Sequence, residues 1–275
     1  MLPLLALAFV AWTATGFLTS LSPHYQRVTV LLPGLPPALA GLRIVQLTDI
    51  HHGPWLSLDA VAHAVEMANA AQPDVIVLTG DYVHRSPQYI APCYQALSRL
   101  RAPLGVYSVF GNHDQWEDPD LKTSRRLLRA AGIVDLTNAH QWLGRGEQRL
   151  CLAGVADMIT QEPDLPRALE GLPQDATVIL LTHSPDFAEE VHDPRVKLVL
   201  AGHTHGGQVV LPLLGPPVIP SEYDHKYASG LVQADGKQVY ISRGLGKATL
   251  PFRFRCPPEI TVLTLQPAPA ATSGR

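Results

Sequence analysis

The stretch IVQLTDIHHG, residues 44–53, joins a short apolar run to a cluster of polar side chains. Its first four residues have the length and apolar character of a buried strand, and Gly53 allows a sharp turn after it. The same succession occurs at four further apolar runs, which end in clusters containing Asp, Asn or His. Those runs are residues 75–78, 106–110, 178–181 and 198–200, and their clusters are Thr79-Gly80-Asp81, Gly111-Asn112-His113-Asp114, Thr182-His183 and Gly202-His203-Thr204-His205.

Helical patterns separate several of these strands. Apolar residues between 58 and 68 follow helical spacing behind Ser57, a capping residue, and Pro73 closes the segment. Residues 94–100 and 121–131 show similar patterns. The later part of the chain has further strand candidates at 151–155, 209–211, 239–242 and 260–265. The alternation predicts an α/β fold with a mixed sheet or two sheets packed together.

The composition fits a globular domain with a large core. The 275 residues are 46% hydrophobic and only 16% charged, which excludes a disordered or coiled-coil chain. The formal net charge of −3 disfavours binding of nucleic acid through a broad basic face. The cysteines Cys93, Cys151 and Cys256 lack CxxC spacing, and so they indicate neither a disulfide framework nor a thiolate metal site. The 12 histidines are the unusual count, because histidine is the commonest metal ligand.

The amino terminus is apolar and uncharged. Residues 1–26 contain no Lys, Arg, Asp or Glu, and the apolar run within them is at the lower limit of about 20 residues for a membrane span. We expect residues 1–22 to be a membrane anchor; a cleaved or atypical signal and an apolar element buried on the protein are the alternatives. The globular domain is expected to cover residues 28–266, and residues 267–275 are expected to form a disordered tail.

The polar clusters have the chemistry of a metal centre. Sites in open α/β sheets form where the carboxyl ends of strands meet, so the five clusters are expected to converge. Mixed imidazole and oxygen ligands suit Mn, Fe, Zn or Co better than Mg or Ca. The number of candidates exceeds the three or four ligands of a mononuclear zinc site, and two metals that share a carboxylate account for it. The seven candidates are Asp49, His51, Asp81, Asn112, His183, His203 and His205.

The five clusters resemble, in order, the motif blocks of the calcineurin-like metallophosphoesterases. Residues 206–208, 242–246 and 256–259 further resemble a bacterial subgroup of membrane-associated phosphohydrolases. The resemblance implies a four-layer fold, in which mixed β-sheets pack as a central sandwich flanked by helices, with residues 28–266 as the catalytic domain. It implies two divalent metal ions, with Mn favoured. One ion would be held by Asp49, His51 and His205, the other by Asn112, His183 and His203, and Asp81 would bridge them.

The resemblance also implies catalytic roles beside the metals. His113 would not be a ligand; it would lie near the phosphate and assist the departing oxygen, oriented by Asp114. One block departs from the family pattern. Relatives often continue Gly-Asp-x-x-Asp-Arg-Gly, whereas this chain has His84 at the second acid. That change puts in doubt a phosphate contact by Arg85.

The implied activity is hydrolysis of a phosphate mono- or diester by a hydroxide that bridges the two metals. A pyrophosphate hydrolase acting on a nucleotide-linked lipid, a nuclease and a non-catalytic scaffold are the alternatives. The charge disfavours the nuclease, and the complete ligand set disfavours the scaffold. We expect a membrane-associated enzyme of the bacterial cell membrane, with no nucleic acid partner and with a lipid-linked substrate as one option. Residues 211–220 are expected to be a rigid apolar loop, whose exposure beside the metals would favour that option.

Overall fold

Two six-stranded β-sheets form the centre of the molecule in the computed structural model, which describes residues 14–18, 21–145 and 148–269. The strands are β1 His24–Leu32, β2 Arg43–Leu47, β3 Val75–Thr79, β4 Val106–Val109, β5 Val134–Asp135, β6 Ala139–Arg145, β7 Gln148–Gly154, β8 Val178–Leu181, β9 Val196–Ala201, β10 Gly230–Ala234, β11 Lys237–Ile241 and β12 Glu259–Pro267. The α-helices are α1 Leu58–Ala70, α2 Ile90–Leu97, α3 Asn112–Glu117, α4 Lys122–Ala130 and α5 Leu165–Ala168.

Both sheets are mixed. The first has the order β1-β12-β2-β3-β4-β5 and is parallel except where β12 pairs with β2. The second has the order β10-β11-β9-β8-β7-β6, with antiparallel pairs at its two edges and parallel pairs between them. Connections that pass through α1 and α2 allow β2, β3 and β4 to run in parallel.

Three apolar cores lie between four layers. Alternate residues of β2 point to opposite sides: Val45 packs with α1 and α2, while Ile44 faces the second sheet. Leu198 and Leu200 of β9 meet Ile44 in the central core, and the opposite face of the second sheet packs against α5 and a short 3-10 helix at Pro185–Glu189. The expected α/β fold, two mixed sheets packed as a sandwich and flanked by helices, is confirmed.

Local sequence signals account for most element boundaries. The Ser57 side chain accepts a hydrogen bond from the Ala60 N–H at 3.2 Å, as expected of a cap. Helix α1 buries Val61, Val65 and Ala68 of the predicted apolar face, whereas Leu58 at its start is exposed. The predicted strand at residues 209–211 is wrong. Val209 makes only an isolated bridge to Phe254, because the chain reverses immediately through a bridge between Leu211 and Gly215.

The pairing of β1 with β12 extends beyond both ends of the expected domain. Strand β1 begins at His24, before the expected domain start at Val28, because its pairing with β12 starts at His24 and Glu259. Pro267, expected to open the tail, is the last residue of β12 and pairs with Leu32. Most of the expected anchor at residues 1–22, and residues 270–275, lie outside the described residues. Among the residues that are described, no helix is long and apolar enough to cross a membrane.

Candidate metal centre

The five polar loops meet at one end of the sandwich. Each follows the carboxyl end of a parallel strand, and backbone hydrogen bonds join neighbouring loops. The Asp49 N–H donates to Gly80 O at 3.0 Å, and the Gly202 N–H donates to His183 O at 3.0 Å. Gln46, buried between the sheets, donates from Nε2 to Ala201 O at 2.9 Å and so links the first sheet to the second. The two sheets therefore present their loops to a single site.

One group of ligand-type atoms combines Asp49, His51 and His205. The Nε2 atoms of His51 and His205 lie 3.0 Å apart, and His205 Nε2 lies 3.3 Å from Asp49 Oδ1. Asp49 is held in place by the Thr48 hydroxyl, which donates to Oδ2 at 2.8 Å, and by the His203 N–H. All three members are buried.

A second group combines Asp81, His183 and His203. His203 Nδ1 lies 3.2 Å from His183 Nε2, which in turn lies 3.2 Å from Asp81 Oδ2. Asn112 follows the end of β4 and is buried, and its Oδ1 has no hydrogen-bond partner. A buried carbonyl oxygen without a partner is costly, and a cation is one species that would satisfy it.

Asp81 belongs to both groups. Its Oδ2 lies 3.3 Å from His51 Nε2 in the first group and 3.2 Å from His183 Nε2 in the second. Its Oδ1 accepts a hydrogen bond from the His113 N–H at 2.9 Å, which fixes the rotation of the carboxylate. Asp81 thus links the two groups, which contain six of the seven predicted ligand residues, and the seventh, Asn112, lines the same cleft as Asp81.

The protonation of the imidazoles suits metal ligands. Burial lowers the pKa of His51 and His205 well below the ordinary value and that of His203 to about 3, so these rings are neutral at physiological pH. His183 Nδ1 lies 2.8 Å from Thr79 O, which can only accept. Nδ1 therefore carries a proton, and Nε2 of a neutral ring is free to bind a cation. The donor set fits divalent ions.

The pKa values of the two carboxylates, Asp49 and Asp81, are shifted in opposite directions. Burial outweighs the charge of His183 and raises the pKa of Asp49 to about 6. Burial would also raise the pKa of Asp81, but the charge of His183 and its hydrogen bond outweigh this effect and hold that pKa well below its ordinary value. The same attraction holds the pKa of His183 above its ordinary value, against burial. Both carboxylates are thus mostly ionised at pH 7, and Asp81, the shared residue, keeps its charge to lower pH than Asp49.

The backbone of the site is strained. Non-glycine residues seldom adopt positive φ, because Cβ then crowds the following carbonyl, at a cost of about 1–2 kcal/mol per residue. Five of the seven predicted ligand residues do so: Asp49, His51, Asp81, His203 and His205. Nothing local in the sequence requires these conformations. Their concentration at one place supports a functional origin for the loop geometry.

His113 lies beside the two groups and contacts another histidine. Its Nδ1 is 3.0 Å from His84 Nδ1, and Arg85 donates from Nε to His84 Nε2 at 2.9 Å. The Arg85 guanidinium lies over the Trp55 ring, 4.1 Å from its centroid. Burial, followed by the charges of His113 and Arg85, lowers the pKa of His84 to about 4, and burial lowers that of His113. His51, His84 and His113 form a third group of ligand-type atoms, but the Arg85 cation makes it unfavourable for a metal.

Asp114 does not orient the His113 ring as the family resemblance implies. Its Oδ2 accepts from the N–H groups of Asp81 and Gly111 at 2.8 and 2.9 Å, and its Oδ1 accepts from the Tyr82 N–H at 2.8 Å. Because both oxygens are used in this way, Asp114 fixes the backbone of the loop that carries Asp81. The contact that orients the His113 ring comes from His84, the residue at which the motif departs from the family pattern.

Arg253 is a further residue of the site that the motifs do not indicate. It is fully buried and donates to Gly246 O at 2.7 Å and Arg243 O at 2.7 Å, and its Nη2 lies 3.2 Å from His205 Nδ1. It therefore supports the loops behind His205. Its sequence neighbourhood, PFRFRC, has no periodicity or motif that distinguishes this arginine from an exposed one.

A cleft of about 340 Å³ opens over the two groups. Asp81, Asn112, His113 and His203 line its polar end. Apolar residues line the rest of the cleft: Val209, Trp116, Pro217, Val218, Pro220 and Leu250. The loop at residues 211–220 is therefore beside the candidate metal centre, and Leu213, Leu214 and Val218 within it are exposed.

Comparison with known proteins gives consistent matches. A family model described as calcineurin-like phosphoesterase matches residues 42–207. The Bacillus subtilis (strain 168) protein named uncharacterized metallophosphoesterase YkuE is 34% identical over 267 residues, which cover 94% of this chain and 92% of that protein. Phosphodiesterase YaeI of Escherichia coli (strain K12) is 32% identical, covering 82% of this chain and 83% of its own. A Danio rerio transmembrane protein with metallophosphoesterase domain is 32% identical, covering 90% of this chain and 58% of that protein.

Proposed function

The chain belongs to the calcineurin-like phosphoesterase family and is a hydrolase of phosphoester bonds, and on that premise we propose that it cleaves a phosphate mono- or diester at a pair of divalent metal ions. The observation that carries this proposal is the position of Asp81 Oδ2, 3.3 Å from His51 Nε2 and 3.2 Å from His183 Nε2. One oxygen placed between two groups of imidazoles has the position that a bridging ligand requires.

The ligand assignment follows the two groups. Asp49, His51 and His205 would hold one ion, and Asn112, His183 and His203 the other, with Asp81 shared. The mixture of nitrogen and oxygen ligands favours Mn, Fe, Zn or Co, and Mn is the first candidate. Such a pair of ions lowers the pKa of water and neutralises the phosphoryl oxygens of an ester.

The reaction requires a proton for the leaving group. As an oxygen from water forms a bond to phosphorus, the bond from phosphorus to the ester oxygen breaks, and that oxygen takes up a proton. His113 is the residue of this chain best placed to assist, because it lines the cleft and is absent from both ligand groups. Deletion of a general acid of this kind costs about 10²–10⁴-fold in rate.

Arg85 and His84 set the tautomer of His113. A guanidinium can only donate, so His84 Nε2 accepts from Arg85, and the proton of a neutral His84 is on Nδ1. That Nδ1–H donates to His113 Nδ1, which places the proton of a neutral His113 on Nε2, the ring nitrogen left for the substrate. His84 is therefore a positioning residue, which acts through His113.

Replacement of His84 by alanine is expected to lower kcat about tenfold, the equivalent of one hydrogen bond of about 1.4 kcal/mol, with metal content unchanged. The fall should appear in kcat more than in KM, since His84 does not line the cleft. The nitrogen chemical shifts of the His113 ring should show the altered tautomer. His63→Ala, at an exposed histidine on α1, is the matched control. An unchanged kcat in His84→Ala would exclude this role.

The proposed activity can be tested on the full-length protein by metal analysis and hydrolysis assays. We expect two equivalents of metal after loading with Mn²⁺, hydrolysis of aryl phosphate mono- or diesters, and loss of both metal and activity on chelation. Readdition of Mn²⁺ should restore the activity. Protein that is folded and loaded with Mn²⁺ but cleaves no phosphate ester would refute the proposal.

Membrane association is a further part of the proposed function. The uncharged, apolar stretch at residues 1–26 supports it, and so does the name of the zebrafish relative. We propose an anchor at residues 1–22, a catalytic domain that the pairing of β1 with β12 extends to residues 24–267, and a short tail, with the enzyme acting at the bacterial cell membrane. Fractionation of cells that produce the full chain should recover it with the membranes.

A further inference from the structure

Exposed apolar side chains are concentrated beside the cleft. Nine of the sixteen large hydrophobic residues that are exposed in the described part of the chain lie at positions 17, 18 and 21 and within 211–218 and 250–252. Leu213 is fully exposed, and Leu214 and Val218 are 76% and 70% exposed. We call residues 14–18, 21, 209–220 and 248–252 the apolar rim. It contains no Asp, Glu, Lys or Arg.

The exposure of the rim does not come from loosely attached loops. Gln208 is buried between the two main segments, and its Oε1 accepts from the Ala248 N–H at 2.7 Å. Its Nε2 donates to Leu250 O at 3.0 Å and to Phe252 O at 3.1 Å. The Val210 N–H donates to Phe254 O at 2.9 Å. The fold therefore holds these apolar side chains towards solvent.

The amino-terminal stretch reaches the same surface. The Phe17 ring packs against Phe252 and Phe254, with centroids 5.6 and 5.2 Å apart, and Gly16 O accepts from the Arg255 N–H at 3.1 Å. Residues 14–18 thus join the rim directly, and they belong to the stretch of 26 residues without a charge. The amino-terminal stretch, which we propose lies next to the membrane, is therefore part of a surface that is continuous with the cleft.

The cleft and the rim together fit an amphipathic ligand. The cleft is lined by the Asp81 carboxylate and the imidazoles of His113, His203 and His205, and also by apolar residues of the rim, among them Val218, Pro220 and Leu250. A phosphate ester bound at Asp81 would therefore share the cleft with apolar side chains of the rim. Large exposed apolar patches mark protein or membrane interaction sites. Protein interfaces usually have a polar rim, whereas the segments of the apolar rim carry no Asp, Glu, Lys or Arg.

We propose that the apolar rim contacts the acyl chains of a membrane lipid whose phosphate ester enters the cleft, so that the substrate class is a lipid phosphate held in a bilayer. This inference rests on the proposed function and deepens it. The rim would hold the lipid at the depth at which its phosphate reaches Asp81 and His113.

The test compares esters with and without acyl chains on the full-length enzyme loaded with Mn²⁺. Phosphatidic acid and phosphatidylglycerol in phosphatidylcholine vesicles are compared with their acyl-free counterparts, glycerophosphate and glycerophosphoglycerol. A soluble aryl phosphodiester reports the hydrolytic activity that does not depend on acyl chains. We expect kcat/KM for at least one lipid to exceed that of its acyl-free counterpart at least tenfold. In the double variant Leu213→Asp/Leu214→Asp, that ratio should fall to near one. Asp tolerates the positive φ of Leu213.

The control variant is Ile159→Asp, an exposed apolar residue outside the rim, which should keep the wild-type ratio. Hydrolysis of the aryl ester with no preference for either lipid would overturn the lipid proposal and leave the proposed function standing. Absence of hydrolysis on every ester would instead overturn the proposed function. A dimer that the double variant dissociates, with no lipid preference in the wild type, would identify a second copy of the chain as the occupant and also overturn the lipid proposal.

Discussion

Asp81→Ala is expected to lose both metal ions and to lower the hydrolysis rate at least about 10³-fold. The reason is that Asp81 Oδ2 is the only carboxylate oxygen within 3.3 Å of imidazole nitrogens from both groups in the described structure. Its removal leaves each group one oxygen short and brings neutral imidazoles together without a negative charge. Metal-ion catalysis supplies several kcal/mol, and about 4 kcal/mol corresponds to the expected loss.

Metal analysis after loading distinguishes this effect from simple unfolding. Asp118→Ala provides a matched control, since Asp118 is also a buried carboxylate and accepts from the Ser124 N–H at 2.7 Å, away from both groups. That variant should lose stability but retain metal. Two equivalents of metal in folded Asp81→Ala protein would contradict the bridging assignment.

His113→Ala is expected to keep both metal ions and to lower kcat about 10²–10³-fold. The substitution removes the ring but not the backbone N–H that donates to Asp81 Oδ1 at 2.9 Å. The orientation of Asp81 is therefore preserved, and the metal groups remain complete. A His113→Ala protein without metal would contradict the role assigned to His113.

The leaving group provides a second measurement on the same variant. An aryl oxygen departs with little need for a proton, whereas an alkyl oxygen requires one. His113→Ala should therefore reduce the hydrolysis of alkyl esters much more than that of aryl esters, while His63→Ala should change neither. Equal losses on both kinds of ester would indicate that His113 binds the phosphate rather than assisting the leaving group.

The positions of the candidate ligand residues could be predicted because each lies close to a strand end. The position of Asp49 after β2 or of His203 after β9 is fixed by a few residues of local sequence, and the parallel sheets bring those ends together. The fold class followed from the same alternation of apolar runs and helical patterns. Family resemblance supplied the division of the ligands into two sets.

The remaining features depend on contacts that local sequence does not determine. His84 and His113 are 29 positions apart, and their pairing depends on how α3 is placed beside the loop after β3. The family resemblance implies that Asp114 orients His113, but three backbone N–H groups donate hydrogen bonds to the Asp114 carboxylate instead. The left-handed backbone at Asp49 and its fellow ligands gives no sequence signal either, because glycine is absent from those positions.

The left-handed backbone of the loops at the candidate site lowers the free energy of unfolding. Asp49, His51, Asp81, His203 and His205 together oppose the folded state by about 5–10 kcal/mol, which is comparable with the net stability of a whole domain. Glycine at any of them would remove strain as well as a ligand. Glycine variants at these positions should therefore unfold at higher temperature than the wild type while they lose a candidate metal ligand.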